Sequence, residues 1–183
     1  MRAKATTICL AALLLLIPAC SSDRVEDSAG SVLLSVTNFN GLASVLSVNQ
    51  ANGLFTIASL TISNIPKNAS RNTSALQNVE METYEVVYTR IGSGTRTPTT
   101  LVRDIFGVVP VDGTMVRNNL PLMGPTQLDN APLSDLLLEN GGFDRETNTQ
   151  AITLNLTVTF FGRTISGDSV ATAPVSFTVD FVP

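Results

Sequence analysis

A strict two-residue alternation near the C-terminal end narrows what this chain can fold into more than any other feature. Ile152, Leu154, Leu156, Val158 and Phe160 are separated by Thr153, Asn155, Thr157 and Thr159. Successive side chains of a strand point to opposite faces, so this spacing gives one apolar face and one wet face. Val175, Phe177, Val179 and Phe181, alternating with Ser176, Thr178 and Asp180, repeat the pattern. Between the two runs, residues 162–168 carry two glycines among mostly polar residues and read as a hairpin. Pro174 has no amide donor, which predicts an edge or a bulge at its position.

Earlier segments keep the same period less regularly. Val32, Leu34 and Val36 alternate, as do Tyr84, Val86 and Tyr88, but Val79 and Met81 lie in the opposite phase. A bulge near Thr83 reconciles the two halves of that strand. Residues 54–65 are apolar on both faces at first and alternate from Ala58 through Leu60 and Ile62, the habit of a more central strand. Asn64-Ile65-Pro66-Lys67-Asn68 then leaves the sheet, because proline cannot continue the ladder. The helical pattern is confined to Pro132–Glu139, where Leu133, Leu136 and Leu137 share a face and Gly141-Gly142 follow. Charged residues are only 14% of the chain, against about 25% in ordinary domains. Thr, Ser and Asn fill the outward positions instead. The expected fold is all-β, an antiparallel immunoglobulin-like β-sandwich of about seven or eight strands with one short crossover helix. A β-barrel is the alternative.

At the N-terminus, Arg2 and Lys4 precede an apolar run from Ile8 to Ile17, followed by Pro18-Ala19-Cys20. The run is about half the roughly 20 residues that a bilayer-spanning helix needs. It has the form of the apolar core of an export signal. Residues 17–20 resemble the bacterial lipobox, with Ile17 third before the cleavage site, small Ala19 immediately before it and Cys20 after it. That resemblance implies loss of residues 1–19, a diacylglyceryl lipid on the Cys20 sulfur and fatty acylation (palmitate-type) of the new N-terminus. An ordinary export signal with a coincidental cysteine is the alternative. Residues 20–30 are polar, acidic and aperiodic, a tether with a reach of roughly 15 to 20 Å, and residues 31–183 form the sandwich domain. The implied partner is a membrane, held through covalent lipid. Ser21 after the cysteine, where aspartate would favour inner-membrane retention in enteric-type bacteria, favours the outer membrane if the organism has one.

Several segments together resemble a group of uncharacterised bacterial lipoproteins. They are residues 64–68, Val79-Glu80-Met81-Glu82-Thr83-Tyr84-Glu85-Val86-Val87-Tyr88, Phe160-Phe161-Gly162-Arg163 and the closing run from Val175 to Phe181. The resemblance implies one immunoglobulin-like sandwich behind a lipobox. It implies no catalytic residue and no ligand. The expected role is structural or binding, with an envelope protein or a glycan as the possible partner.

Composition removes most catalytic classes. The chain has no histidine, which excludes Ser-His-Asp arrangements and the usual zinc sites. Cys9 leaves with the signal and Cys20 is taken by lipid, so neither a thiol nucleophile nor an internal disulfide remains. Cleavage removes two of the eleven basic residues and none of the fifteen acidic ones, leaving nine against fifteen and a net charge of −6. That balance argues against nucleic acid as a partner. Lys67 and Ser70 are close enough in sequence to form a Ser-Lys dyad, although Pro and Asn around them indicate a solvated turn. No cofactor is indicated.

Two carboxylate groupings compete with this non-enzymatic expectation. Glu80 and Glu82 share a strand face at roughly 6 to 7 Å, near the lower limit for a pair that hydrolyses glycosidic bonds with inversion. They define the alternative of a carbohydrate-binding or glycan-hydrolysing module. Glu139, Asp144 and Glu146, with Asn140 and Asn148, form the densest oxygen cluster, and calcium prefers such ligands. They are the candidates for a calcium-stabilised adhesive module, although their spacing lacks EF-hand order. The sequons at Asn68, Asn72 and Asn155 are accidental in a bacterial chain. The connections 67–78 and 92–100 are the candidate binding loops.

Overall fold

The computed structural model describes residues 31–183 apart from Asn52, Ala69 and Arg71. The signal, Cys20 and the tether lie outside the described residues. Nine strands occur among those described: β1 (Val32–Asn40), β2 (Val45–Ser47), β3 (Phe55–Pro66), β4 (Val79–Ile91), β5 (Leu101–Val109), β6 (Gly113–Met123), β7 (Ile152–Thr164), β8 (Ser169–Ala171) and β9 (Val175–Val182). They form one sheet in the order β1-β3-β6 and a second in the order β2-β9-β7-β4-β5, with β8 also on β7. In immunoglobulin lettering, β1, β3 and β6 take the places of A, B and E, and β9, β7, β4 and β5 those of G, F, C and C′. The count exceeds the expected seven or eight because of the three-residue strands β2 and β8. A parallel bridge between Leu34 and Thr172 joins the sheets at one corner, giving the sandwich a half-barrel character.

The alternating runs sit where their period puts them. Ile152, Leu154, Leu156, Val158 and Phe160 are all buried, and β7 lies centrally between β4 and β9. The hairpin after it turns through Gly167 at φ 100°, and Pro174 falls in the gap between β8 and β9. The phase change in β4 is a bulge: Met81 pairs with Gly162 and Thr83 with Phe161, leaving Glu82 as the extra residue. β3 is the central strand of its sheet, as its composition predicts. Ala58, however, faces outward, and the buried phase runs Phe55, Ile57 and then Leu60, Ile62. β6 changes phase opposite it, at Asn119, whose φ of 53° is a left-handed geometry that asparagine tolerates.

The predicted crossover helix is in the right place but of a different form. Leu133–Leu136 and Leu138–Asn140 are two 3₁₀ turns, separated by Leu137 in an extended conformation. Leu133 and Leu136 still plug the end of the core, and Gly141 ends the second turn at φ 113°. A single α-helical turn, Pro125–Leu128, precedes them with proline in its first turn.

The core contains neither cystine nor tryptophan. Tyr84 stacks on Phe160 with ring centroids 5.8 Å apart. Both tyrosine hydroxyls cross from β4 to the opposite sheet: Tyr84 Oη donates to the Pro121 carbonyl at 2.8 Å and Tyr88 Oη to the Leu122 carbonyl at 2.6 Å. Two successive carbonyls accept because β6 bulges there, Phe55 pairing with Met123 and Thr56 with Pro121. Proline has no donor to lose at such an edge position. Burial pushes the Tyr84 hydroxyl up to about 12, against the opposing charge of Arg103. The Tyr88 hydroxyl is also raised, by burial first and then by Tyr84.

Candidate functional site

Strand directions divide the loops between two ends. β1 begins, β3 ends and β4 begins at the end where Val32 pairs with Pro66 and Val79 with Thr164. Connection 67–78, the β5–β6 hairpin and the turn of residues 165–168 gather there. Connection 92–100 and the long segment 124–151 gather at the opposite end, where Ile91 pairs with Thr153. The thirteen residues of β4 separate the two ends by about 40 Å. The two candidate binding loops are therefore remote from each other.

The end at which the described residues begin is tightly organised around Ser31. Lys67 donates its amide to the Ser31 carbonyl at 3.0 Å, and Gln77 Nε2 donates to Ser31 Oγ at 3.1 Å. Gln77 Oε1 also accepts the Ser74 amide at 2.9 Å while Ser74 Oγ accepts from Leu76, a capping box around the turn Ala75–Gln77. Buried Asn64 ties this loop to β5, its Nδ2 donating to the carbonyls of Gln77 and Val109 at 2.9 and 3.1 Å. Ser70 Oγ donates to Asn68 Oδ1 at 2.6 Å, so this hydroxyl proton is engaged within the turn.

At the far end, two of the three calcium candidates converge on a cation the chain supplies itself. Arg90, from the end of β4, places Nη2 2.5 Å from Asp144 Oδ2 and Nη1 3.5 Å from Glu146 Oε2. Asp144 is fully buried and also accepts the Thr147 hydroxyl and the amides of Glu146 and Thr147, both at 3.2 Å. Burial alone raises its carboxyl pKa, but the bonds from Thr147, Arg90 and the Glu146 amide together hold it below the usual carboxylate range. Glu146 accepts the Arg96 amide at 3.0 Å and the Thr95 hydroxyl and amide at 2.7 and 2.8 Å, which hold it low as well. Glu139 stands exposed on its own 3₁₀ turn and does not join them. Asp135 extends the network by pairing with Arg96 at 3.0 Å and Arg145 at 3.4 Å. Among the described residues, no three of His, Cys, Asp and Glu are gathered closely enough to hold a metal ion. The arrangement clamps segment 124–151 onto the β4–β5 loop.

Glu80 and Glu82 are both exposed, with the bulge residue Glu82 paired to Arg163 at 3.5 Å. A groove of about 860 Å³ runs outside the corner between β1 and β8, walled by Leu33, Ile65, Phe161, Pro174 and Glu82. Glu80 is not part of its wall, so the structure does not bring the pair together in a cleft. Sequence reasoning missed Arg90 and Asn64. Arg90 puts a charge into the inward phase that Tyr84, Val86 and Tyr88 follow along β4, and its partner Asp144 begins an Asp-x-x-Thr turn. No local pattern links positions so far apart.

No family model, curated protein or solved structure matches the chain.

Proposed function

We propose that this chain is a lipid-anchored, non-catalytic domain of a bacterial cell envelope, serving a structural or binding role. The observation that carries this reading is Ile17-Pro18-Ala19-Cys20 directly behind a short apolar run, with a polar linker and one β-sandwich after it. Among the described residues no helix is long and apolar enough to cross a membrane, and lipid on Cys20 supplies an attachment instead. Each buried methylene contributes about 0.8 kcal/mol, so two or three acyl chains hold the protein durably. Several of the polar side chains with chemical promise are committed to other protein groups, which supports holding or binding over catalysis. Ser70 bonds Asn68, and Asp144 and Glu146 enclose Arg90. The glycan-hydrolysing alternative lacks a cleft containing both Glu80 and Glu82.

Metabolic labelling with an alkyne fatty acid tests the proposal. Wild-type protein is expected to carry label and to fractionate with membranes, and Cys20→Ala to lose both. Unlabelled wild-type protein overturns it.

A further inference from the structure

The end of the domain from which the tether leaves carries an exposed apolar pair held in a rigid setting. Leu76 is 56% exposed at the tip of the capped turn Ala75–Gln77. Ile165 is 48% exposed on the adjacent β7–β8 turn. The two turns are bonded to each other, with the Ile165 amide donating to the Asn78 carbonyl at 2.9 Å and the Ser166 amide to the Leu76 carbonyl at 3.0 Å. Gln77 then ties this platform to Ser31, the first described residue after the tether. Both side chains lie beyond the ends of the strands and outside the core cluster.

We infer that Leu76 and Ile165 seat this end of the domain on the lipid surface, entering the boundary between headgroups and acyl chains. The inference rests on lipid attachment at Cys20. A tether of residues 21–30 gives Ser31 a root-mean-square distance of roughly 15 to 20 Å from its anchored cysteine, less than the length of the domain, so this end is the one that meets the bilayer. Tethering makes the second contact effectively intramolecular, and a weak apolar contact then suffices. Interfacial side chains reach only about 5–10 Å below the headgroups, a depth that two side chains at the tips of turns can enter without unfolding a strand. Charges nearby are of both signs, with Lys67 and Arg163 set against Glu80, Glu82, Asp112 and Asp168. The contact is therefore apolar in origin and suits a neutral lipid surface. The domain then stands with segment 124–151 outermost.

Single-cysteine labelling of the full lipidated chain tests this cleanly, because Cys9 departs with the signal and the Cys20 sulfur is blocked. Leu76→Cys, Ile165→Cys and, at the outer end, Leu138→Cys, a position 72% exposed in the wild type, each receive an environment-sensitive fluorophore. The proteins are reconstituted in phosphatidylcholine vesicles with dibrominated acyl chains. Probes at 76 and 165 are expected to be quenched roughly threefold more than the probe at 138. Equal quenching at all three positions overturns the inference while leaving the anchor intact. Mature protein whose mass shows no lipid overturns the anchor itself.

Discussion

Replacing Asp144 with asparagine tests the buried clamp most directly. The side chains of Arg90 and Asp144 are 5% and 0% exposed. Asn keeps the shape of Asp144 but removes its charge and turns an amide group toward converging donors. Breaking a buried pair from one side costs about 3–5 kcal/mol, since the remaining charge loses its compensation. Glu146, 3.5 Å from the other guanidinium nitrogen, retains part of that compensation, so the lower end, about 3 kcal/mol, is expected. At about 2–4 °C per kcal/mol for a domain of this size, the midpoint falls by roughly 6–12 °C. Thermal unfolding followed by circular dichroism at neutral pH reads it. The double variant Arg90→Met with Asp144→Leu removes both charges and is expected to lose less than Asp144→Asn alone. The pH profile adds an independent check. Both carboxyls sit below their ordinary values of 3.8 and 4.5 in the folded state. The unfolded chain therefore binds more protons in acid, and their contribution is present above those values and lost as pH falls through the lower folded ones. Asp144→Asn should flatten that acid limb. A variant melting within about 2 °C of wild type, with an unchanged acid limb, would refute the clamp.

The chain contains only two tyrosines, so tyrosinate absorbance reports on the cross-sheet hydroxyls alone. Because burial raises both in the folded state, their contribution is whole below pH 10.0, the ordinary value, and lost above it. Neither should ionise until the domain opens near or above pH 12, and a native titration step near pH 10 would contradict the structure. Tyr88→Phe, which leaves the Leu122 carbonyl buried without its donor, should cost about 1–3 kcal/mol in denaturant melts. Gly162→Ala should destabilise by about 1–3 kcal/mol, because its Cβ would lie 2.6 Å from the Glu80 carbonyl oxygen. A neutral effect there would mean that the β4 bulge yields more readily than so close an approach implies.

What the sequence made legible was what depends on local period. The alternation in β7 and β9, the phase change at Thr83, and the break at Pro174 all follow from which face a side chain must occupy. The paired phase change at Ala58 and Asn119 was missed because it involves two strands at once, and β3 alone offers small residues that fit either face. The crossover reads as one helix in the sequence because Leu133, Leu136 and Leu137 fit both an α-helix and a tighter turn. Only the packing of Leu133 and Leu136 over the core, with Leu137 extended, distinguishes them. Acidic residues at 139, 144 and 146 form a visible cluster, but the counter-cation of Asp144 and Glu146 is Arg90, on a strand more than fifty positions away. Long-range pairing of that kind leaves no trace in spacing.

Where many sandwiches join their two layers with a sulfur–sulfur bond, this one uses two phenolic protons shared with the backbone of β6. Such a link forms and breaks on the timescale of folding itself. It needs no oxidant, no isomerase and no correct choice among partners. The domain can close its layers in reducing or oxidising surroundings alike, and can reopen and reclose without covalent damage. The tyrosines of β4 thus make the closure of this domain a matter of packing and hydrogen bonding, independent of the redox chemistry around it.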